Sequence, residues 1–255
     1  MSAAVPRTIA TMAVACLIWA PLFPTAQEPR LRVLSSNGVK AALEQLQAES
    51  ERIAGHALDI TFGTSASTRQ RVLAGDGFDV AILTAEVIDE LAKAGKVERA
   101  STVRLGRSGI GIGVRAGMAK PDIDTADALK HVFYAVRSVT YAGDGASRPF
   151  IERMFGTLGI TETMQTKTIL EQGSVRAAAR VVAGDADMLI TLVSEIVPVP
   201  GMELVGPLPS EFQNYVSFAA AVGSSAQHAD SAAKLIAFLS GHGASPAFTG
   251  SGIER

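Results

Sequence analysis

Four short stretches of this sequence combine glycine with hydroxyl-bearing residues immediately before a predicted helix. They cover residues 35–38, 63–67, 143–147 and 173–174. The first N–H groups of a helix have no partner inside the helix, and the helix dipole adds partial positive charge there. Such turns can bind an anion through amides and hydroxyls. A serine or threonine before a helix is also a common cap, so each single turn has a purely structural explanation too.

The order of the predicted elements brings these four turns together. Short apolar strands alternate with helical patterns, which is typical of parallel α/β units. The predicted strands cover residues 31–34, 58–62, 78–83, 138–141, 168–170 and 188–192. In an open α/β sheet, ligands bind beyond the carboxyl ends of the strands, where these turns lie. The sequence therefore predicts one anion-binding cleft to which all four turns contribute.

Two long extended segments, residues 105–114 and 215–222, divide the chain. Two separate chain crossings predict an α/β fold with two lobes, each a mostly parallel sheet flanked by helices, joined by a two-stranded hinge. The first lobe would hold residues 28–105 plus 215–255, and the second residues 106–214. Further predictions are single helices over residues 39–53, 124–132 and 225–239, and a surface location for residues 241–255.

The N-terminal segment has the composition of a secretory signal peptide. Arg7 is the only charged side chain before Glu28, residues 8–23 are mostly apolar, and small residues near Ala26 offer a cleavage site. The apolar run is shorter than the ~20 residues of a membrane-spanning helix, although an uncleaved anchor is the alternative. We predict that residues 1–27 are removed on export and that the protein is periplasmic. The single cysteine, Cys16, lies in this segment, which leaves no thiol for a disulfide or a metal site.

Composition argues against several functions. The formal net charge is −2, so the chain lacks the basic character of a nucleic-acid binder. Acidic residues are scattered, and residues 109–113 have neither phosphate-loop nor dinucleotide spacing. Neither Ser36 nor Ser65 lies in a G-x-S-x-G motif, which argues against a serine hydrolase. We therefore predict no metal, no cofactor and no nucleic-acid partner.

Several short motifs occur in an order that is typical of one family. The sequence resembles the type II periplasmic binding proteins, specifically the molybdate-binding-protein-like family, over about residues 30–255. The motifs are Val33-Leu34-Ser35-Ser36, Phe62-Gly63-Thr64-Ser65, Phe78-Asp79-Val80-Ala81-Ile82, Gly173-Ser174-Val175-Arg176, Ala183-Gly184-Asp185-Ala186-Asp187 and the proline-rich residues 198–209. The resemblance implies a monomer that closes on an oxyanion with serine hydroxyls and helix-terminal amides, then delivers it to a membrane permease.

The same resemblance implies a set of ligand contacts. Ser36 and Ser65 would contribute from the first lobe, and Ser147 and the backbone at Val175 from the second. Nearby positions complete the candidate ligand-binding set: Asn37, Thr64, Arg148, Ser174 and Thr191.

Two departures from the family pattern shift the expected ligand from molybdate towards an organic carboxylate. Molybdate binders of this family have a tyrosine at the end of the strand that corresponds to residues 188–192, where this sequence has Thr191 and Leu192. Arg148 begins a predicted helix, where a cation is unfavourable for the helix dipole. A guanidinium pairs with a carboxylate through two hydrogen bonds. Our hypothesis is that Arg148, with Arg69 or Arg176, selects an organic acid; the alternative is a solvated surface arginine.

Some relatives of this family resemble aconitate isomerases, whose chemistry moves a proton across an allylic system. That chemistry needs a general acid–base group near the ligand, and dipoles or cations to stabilise the developing charge. The four histidines lie outside the four turns. The other candidate bases are Tyr141, Glu171, Glu195 and Lys40. We place Tyr141 first because it ends the strand that leads to Ser147, although core packing is the alternative role and its pKa, normally about 10, would have to fall.

The sequence thus favours a periplasmic solute-binding protein that captures a small anion, an organic carboxylate or an oxyanion, for uptake by a membrane transporter. An exported isomerase that interconverts cis- and trans-aconitate is the alternative function on the same fold. A sensor subunit would use the same site and differ only in its partner.

Overall fold

The protein has a mixed α/β fold, as the sequence predicts. A computed structural model describes Met1 and residues 30–255. Apart from Met1, the predicted signal peptide lies outside the described residues, as do its cleavage site and Cys16. Within the part that the structure describes, no helix is both long enough and apolar enough to cross a bilayer.

Nine strands and ten α-helices make up the described part of the chain. The strands are β1 (Leu31–Ser36), β2 (Leu58–Gly63), β3 (Val80–Thr84), β4 (Val103–Arg115), β5 (Val139–Ala142), β6 (Thr168–Glu171), β7 (Met188–Leu192), β8 (Met202–Pro207) and β9 (Tyr215–Val222). The helices are α1 (Lys40–Gln45), α2 (Gln47–Ala54), α3 (Ser65–Ala74), α4 (Ala85–Lys93), α5 (Ala126–Ala135), α6 (Arg148–Thr157), α7 (Thr161–Lys167), α8 (Ser174–Ala183), α9 (Ala229–Ser240) and α10 (Ser245–Gly250).

The sheet has two parallel halves joined by two long antiparallel strands. Its order is β2-β1-β3-β9-β4-β7-β5-β6, and β8 also pairs with β4. In the first half, β1 runs parallel to β2 and β3; in the second half, β5 runs parallel to β6 and β7. Residues 103–109 of β4 pair with β9, whereas residues 110–114 pair with β7. The two crossing strands therefore connect the two halves; the exact lobe boundaries stay a prediction.

Burial on both faces of the sheet explains the apolar strands. Every residue of β3 and of β7 is buried, as expected for parallel strands covered by helices on both sides. In β4, glycines alternate with large apolar residues, and a side chain at the glycine positions would collide with neighbouring residues. A Cβ on Gly113 would lie 2.6 Å from Cε of Met202 and 2.8 Å from Cγ2 of Ile196. The glycines thus allow the chain around β8 to pack closely on this strand.

The C-terminal region differs from the prediction. Helix α9 begins at Ala229 rather than at residue 225, because Asp79 accepts hydrogen bonds from the backbone N–H groups of Gln227 (2.8 Å) and His228 (3.2 Å). Residues 241–255 include α10, and Phe248 and Ile253 in this stretch are buried. The prediction of a surface segment was wrong. Small and polar residues dominate the composition of this segment, but the two large apolar side chains, Phe248 and Ile253, anchor it in the core.

Four other elements also differ from the prediction. The helix predicted over residues 39–53 is a 3-10 turn followed by α1 and α2, with a break at Leu46 (φ −92°, ψ 0°). The helix predicted to start at residue 124 starts at Ala126, where the Thr125 hydroxyl oxygen accepts from Ala128 N. Neither α7 nor β8 was predicted from the sequence.

A close contact fixes the first turn against β9 and yields a stability prediction. A Cβ on Gly38 would lie 2.3 Å from Cζ of Phe218, whose ring is fully buried. We expect Gly38→Ala to lower the free energy of unfolding by about 1–3 kcal/mol in chemical denaturation, the usual cost of overpacking. Gly243→Ala is the matched control, because a Cβ there meets nothing within 4 Å. Equal stability of the two variants would contradict the prediction.

Candidate functional site

The carboxyl ends of strands from both halves of the sheet meet around a small cavity, which we call the cleft cavity. Its volume is about 20 Å3. Its polar lining comes from the first half through Ser36, Thr64, Ser65 and Thr84, and from the second half through Ser147, Ser174 and Glu195. Ala142, Gly145, Ala146, Leu192 and Phe218 complete the lining. About 10–15 Å3 accommodates one water molecule, so an organic acid enters only if the walls move apart.

Two serine hydroxyls of the first half are oriented by backbone amides. The Ser36 Oγ accepts a hydrogen bond from Gly38 N at 3.2 Å, and the Ser65 Oγ accepts from Thr84 N at 3.0 Å. Neither hydroxyl proton has an acceptor among the described residues. Both hydroxyls are therefore free to donate a hydrogen bond to an anion in the cavity, as a neutral oxyanion site requires.

A carboxylate links the two sides of the cleft. The Thr64 hydroxyl, which caps α3, donates to Asp144 Oδ2 at 2.8 Å. Asp144 Oδ1 accepts from the backbone N–H of Gly173, just before α8, at 3.0 Å. Asp144 thus bridges the starts of two helices that belong to different halves of the sheet. Separation of the walls must break the Thr64–Asp144 hydrogen bond.

A second carboxyl group, that of Glu195, lines the cavity itself. It lies just beyond β7, and its oxygens accept hydrogen bonds from the Ser174 hydroxyl (2.8 Å) and the Thr191 hydroxyl (2.5 Å). Glu195 is half-buried when the whole residue is considered, whereas its carboxyl group is enclosed by protein atoms. This loss of water raises the pKa of Glu195, while the hydrogen bonds from Thr191 and Ser174 act in the opposite direction. The cleft therefore holds an acid that binds a proton more readily than an exposed glutamate.

Most of the predicted ligand residues lie in or beside the cleft cavity. Five of them line it: Ser36, Thr64, Ser65, Ser147 and Ser174. Asn37 and Val175 lie next to it, in an adjoining groove of about 670 Å3 that also reaches Glu195. Thr191 reaches the site through its hydrogen bond to Glu195. The four turns thus converge as the sequence predicts; their contact with a ligand stays a prediction.

Tyr141 and Arg148 lie elsewhere. Both line a separate pocket of about 450 Å3, where Arg148 donates to Glu152 Oε1 (2.7 Å) and to the Gly143 carbonyl (2.7 Å). Tyr141 packs against Phe155, and burial raises its pKa, opposite to the fall that a base would need. Strand packing thus turns this side chain away from the cleft cavity.

The other two arginines of the guanidinium hypothesis also lie away from the cleft cavity. Arg69 pairs with Glu90 at 2.5 Å, and Arg176 is exposed. None of the residues lining the cavity is an arginine or a lysine. An anion there would be held by hydroxyls and amides alone, so this geometry does not support selection by a guanidinium.

Two polar residues of the cavity were absent from the predicted ligand set. Thr84 ends β3 directly before α4, the same hydroxyl-before-helix signal as in the four turns, and the sequence prediction ended that strand one residue too early. Glu195 was a candidate base only. The sequence did hold one sign that Glu195 belongs to the site: it lies three residues after a buried strand, and the carboxyl ends of parallel strands meet at one edge of the sheet.

The chain matches one family model and one characterised relative along most of its length. The family model described as bacterial extracellular solute-binding protein matches residues 31–254. Over 98% of its length, the chain is 30% identical to an aconitate isomerase of a Pseudomonas species, and the match covers 97% of that protein.

Solved structures share the fold at low sequence identity. The periplasmic molybdate-binding protein of Azotobacter vinelandii superposes with a TM-score of 0.74 and 17% identity, over 89% of this chain and 99% of that one. A sulfate-binding protein of Mycobacterium tuberculosis gives a TM-score of 0.68 and 19% identity, over 88% and 86% of the two chains. The match of the family model over residues 31–254 shows that this chain belongs to the bacterial extracellular solute-binding protein family.

Proposed function

We propose that this protein binds a small polycarboxylate in the cleft cavity and interconverts cis- and trans-aconitate there. The observation that carries the proposal is the similarity to an aconitate isomerase along nearly the whole length of both chains. The cleft supports the proposal because it contains two hydroxyls that are free to donate to an anion and a carboxyl group with a raised pKa, the groups that this chemistry requires.

The geometry of the cleft supports capture by closure. The Ser36 and Ser65 hydroxyls of the first half are free to donate, and Ser147 lines the cavity from the second half. Only a substrate that brings both halves together would contact both sets of hydroxyls. Hinge closure around a ligand is an established type of protein motion, and the long strands β4 and β9 are the connections about which it would occur.

Capture of a small anion for uptake, without conversion, is the second candidate. The small volume of the cleft cavity favours it, because a compact oxyanion requires the walls to move apart less than a tricarboxylate does. The protein would then act in the periplasm and deliver its ligand to a membrane permease. This candidate requires binding but no proton transfer.

Ligand screening and an isomerisation assay separate the two candidates. We expect cis- and trans-aconitate to raise the Tm of the purified protein, because a ligand at 100 times its Kd adds about 2.7 kcal/mol of stability. NMR should then show each aconitate converting into the other. Citrate, molybdate and sulfate are the comparison ligands. A Tm shift with molybdate or sulfate, and no aconitate conversion at high protein concentration, would reject the isomerase and favour the second candidate.

Serine substitutions test whether the cleft cavity is the binding site. We expect Ser36→Ala and Ser65→Ala each to weaken aconitate binding about 10-fold to 150-fold, because a hydrogen bond to a charged group contributes about 1.5–3 kcal/mol. Isothermal titration of folded protein measures the change in Kd. Ser225→Ala, in an exposed turn, is the control and should bind as the wild type does. Unchanged affinity in both cleft variants would place the ligand elsewhere.

A further inference from the structure

We infer that Glu195 carries the proton between the two reacting carbons of the tricarboxylate, a role that rests on the isomerase function proposed above. The carboxyl group of Glu195 lines the cleft cavity together with Ser36, Ser65 and Ser147, the hydroxyls expected to hold the substrate. It is therefore placed to contact a bound substrate directly, as a catalytic residue must.

The neighbours of Glu195 fix its position. Ser174 is the first residue of α8 and Thr191 belongs to β7, and each hydroxyl holds one carboxylate oxygen. Two anchors on different elements leave the carboxyl group little freedom to rotate. A base that does not have to be reoriented before it reacts lowers the entropic cost of proton transfer.

No other acid or base of the described chain has an equivalent position. Glu195 is the one titratable residue that lines the cleft cavity within residues 30–255. Asp144 lies nearby, but it is not among the residues that line the cleft cavity; it bridges Thr64 and Gly173 instead. Lys40 and Glu44 face Glu195 across the adjoining groove and pair with each other at 3.6 Å. Tyr141 lies in a separate pocket.

The surroundings of Glu195 suit a group that both takes and returns a proton. Burial raises its pKa, the negative charge of Asp144 adds to the effect, and the hydrogen bonds from Thr191 and Ser174 limit it. A general base works best when its pKa approaches the working pH, because the same group must later release the proton. An exposed glutamate would be too weak a base for this purpose.

The proton step balances without any co-reactant. The Glu195 carboxylate removes a proton from the methylene carbon, and the electron pair of the broken C–H bond delocalises through the double bond onto a substrate carboxylate. The resulting carboxylic acid returns the proton to the former vinylic carbon, where a new C–H bond forms. The double bond then lies between the former methylene carbon and the central carbon. One carboxyl group reaches both positions because a single carbon separates them.

Glu195 also borders the groove of about 670 Å3 outside the cleft cavity. The groove gives the carboxyl group a route for exchange with solvent while the substrate is held. In D2O, therefore, part of the product should carry deuterium at the carbon that receives the proton. A shielded carboxyl group would instead return the original proton every time.

The test compares Glu195→Gln with the wild type by NMR in H2O and D2O. We expect kcat to fall about 100-fold to 10,000-fold, the usual contribution of a general acid–base group, and deuterium incorporation to fall with it. Glutamine keeps the size of the side chain; its amide oxygen accepts from one of the two hydroxyls and its NH2 group donates to the other, which must then act as the acceptor. Aconitate should therefore still raise the Tm of the variant. Glu211→Gln, an exposed substitution, is the control and should keep wild-type activity. Active wild type with an equally active Glu195→Gln would overturn the role of Glu195 alone, whereas inactive wild type would overturn both proposals.

A second variant tests the same role through pH. The acid limb of the kcat/KM profile should have its midpoint above the normal pKa range of glutamate. Thr191→Val removes a hydrogen bond that favours the charged carboxylate, so it should move this midpoint to higher pH while the variant stays active. A midpoint that does not move in folded Thr191→Val would contradict the assignment.

Stability supplies a readout that does not depend on activity. A glutamate with a raised pKa in the folded state stabilises the protein below its unfolded pKa, and this contribution is lost as the pH rises through the folded value. The wild type should therefore lose more unfolding free energy than Glu195→Gln between acidic and alkaline pH. Identical pH dependence of the two proteins would contradict a raised pKa of Glu195 in the folded state, and with it the argument that this carboxyl group is tuned for proton transfer.

Discussion

The chemistry of the cleft depends on a simple property of a hydroxyl group that accepts a hydrogen bond from a backbone amide. Once its oxygen is held by the amide, its proton must point to another acceptor. Ser36 and Ser65 are held in this way by Gly38 N and Thr84 N, at the ends of two adjacent strands. The fold thereby creates donors that face the cavity without any formal positive charge. All other features of the site follow from how these donors are brought opposite the second half of the sheet.

The two halves are joined by connections of very different strength. Strands β4 and β9 share a long ladder of hydrogen bonds, and one apolar cluster runs through both halves. Across the cleft itself, by contrast, the Thr64 hydroxyl donates one part-buried hydrogen bond to Asp144, and the turn at residues 37–39 contacts the turn at residues 193–195. A hydrogen bond to a charged group contributes about 1.5–3 kcal/mol, which a bound anion can replace with contacts of its own. This difference allows the walls to separate while the core stays intact.

The sequence predicted the parts of this site that depend on local pattern. Buried strands and the hydroxyl residues after them were recognisable because strand length, apolar content and helix starts leave marks within a few neighbouring residues. The direction of a side chain leaves no such mark. Tyr141 and Arg148 flank the expected turn at residues 143–147, yet packing against Phe155 and pairing with Glu152 keep both in another pocket. Glu195 could not be ranked first because its partners, Ser174 and Thr191, become neighbours only in the folded chain.

The presence of a carboxyl group among anion-binding hydroxyls imposes a constraint on function. A charged Glu195 would repel an anion in a cavity that contains no cation among its lining residues, and the nearby Asp144 would add to the repulsion. A proton on Glu195 removes that repulsion and supplies one more hydrogen-bond donor. For a pure binding protein, such a group would only make affinity depend on pH. An isomerase uses the same group in both protonation states. The carboxylate takes a proton from the methylene carbon, and the carboxylic acid then returns the proton to the former vinylic carbon.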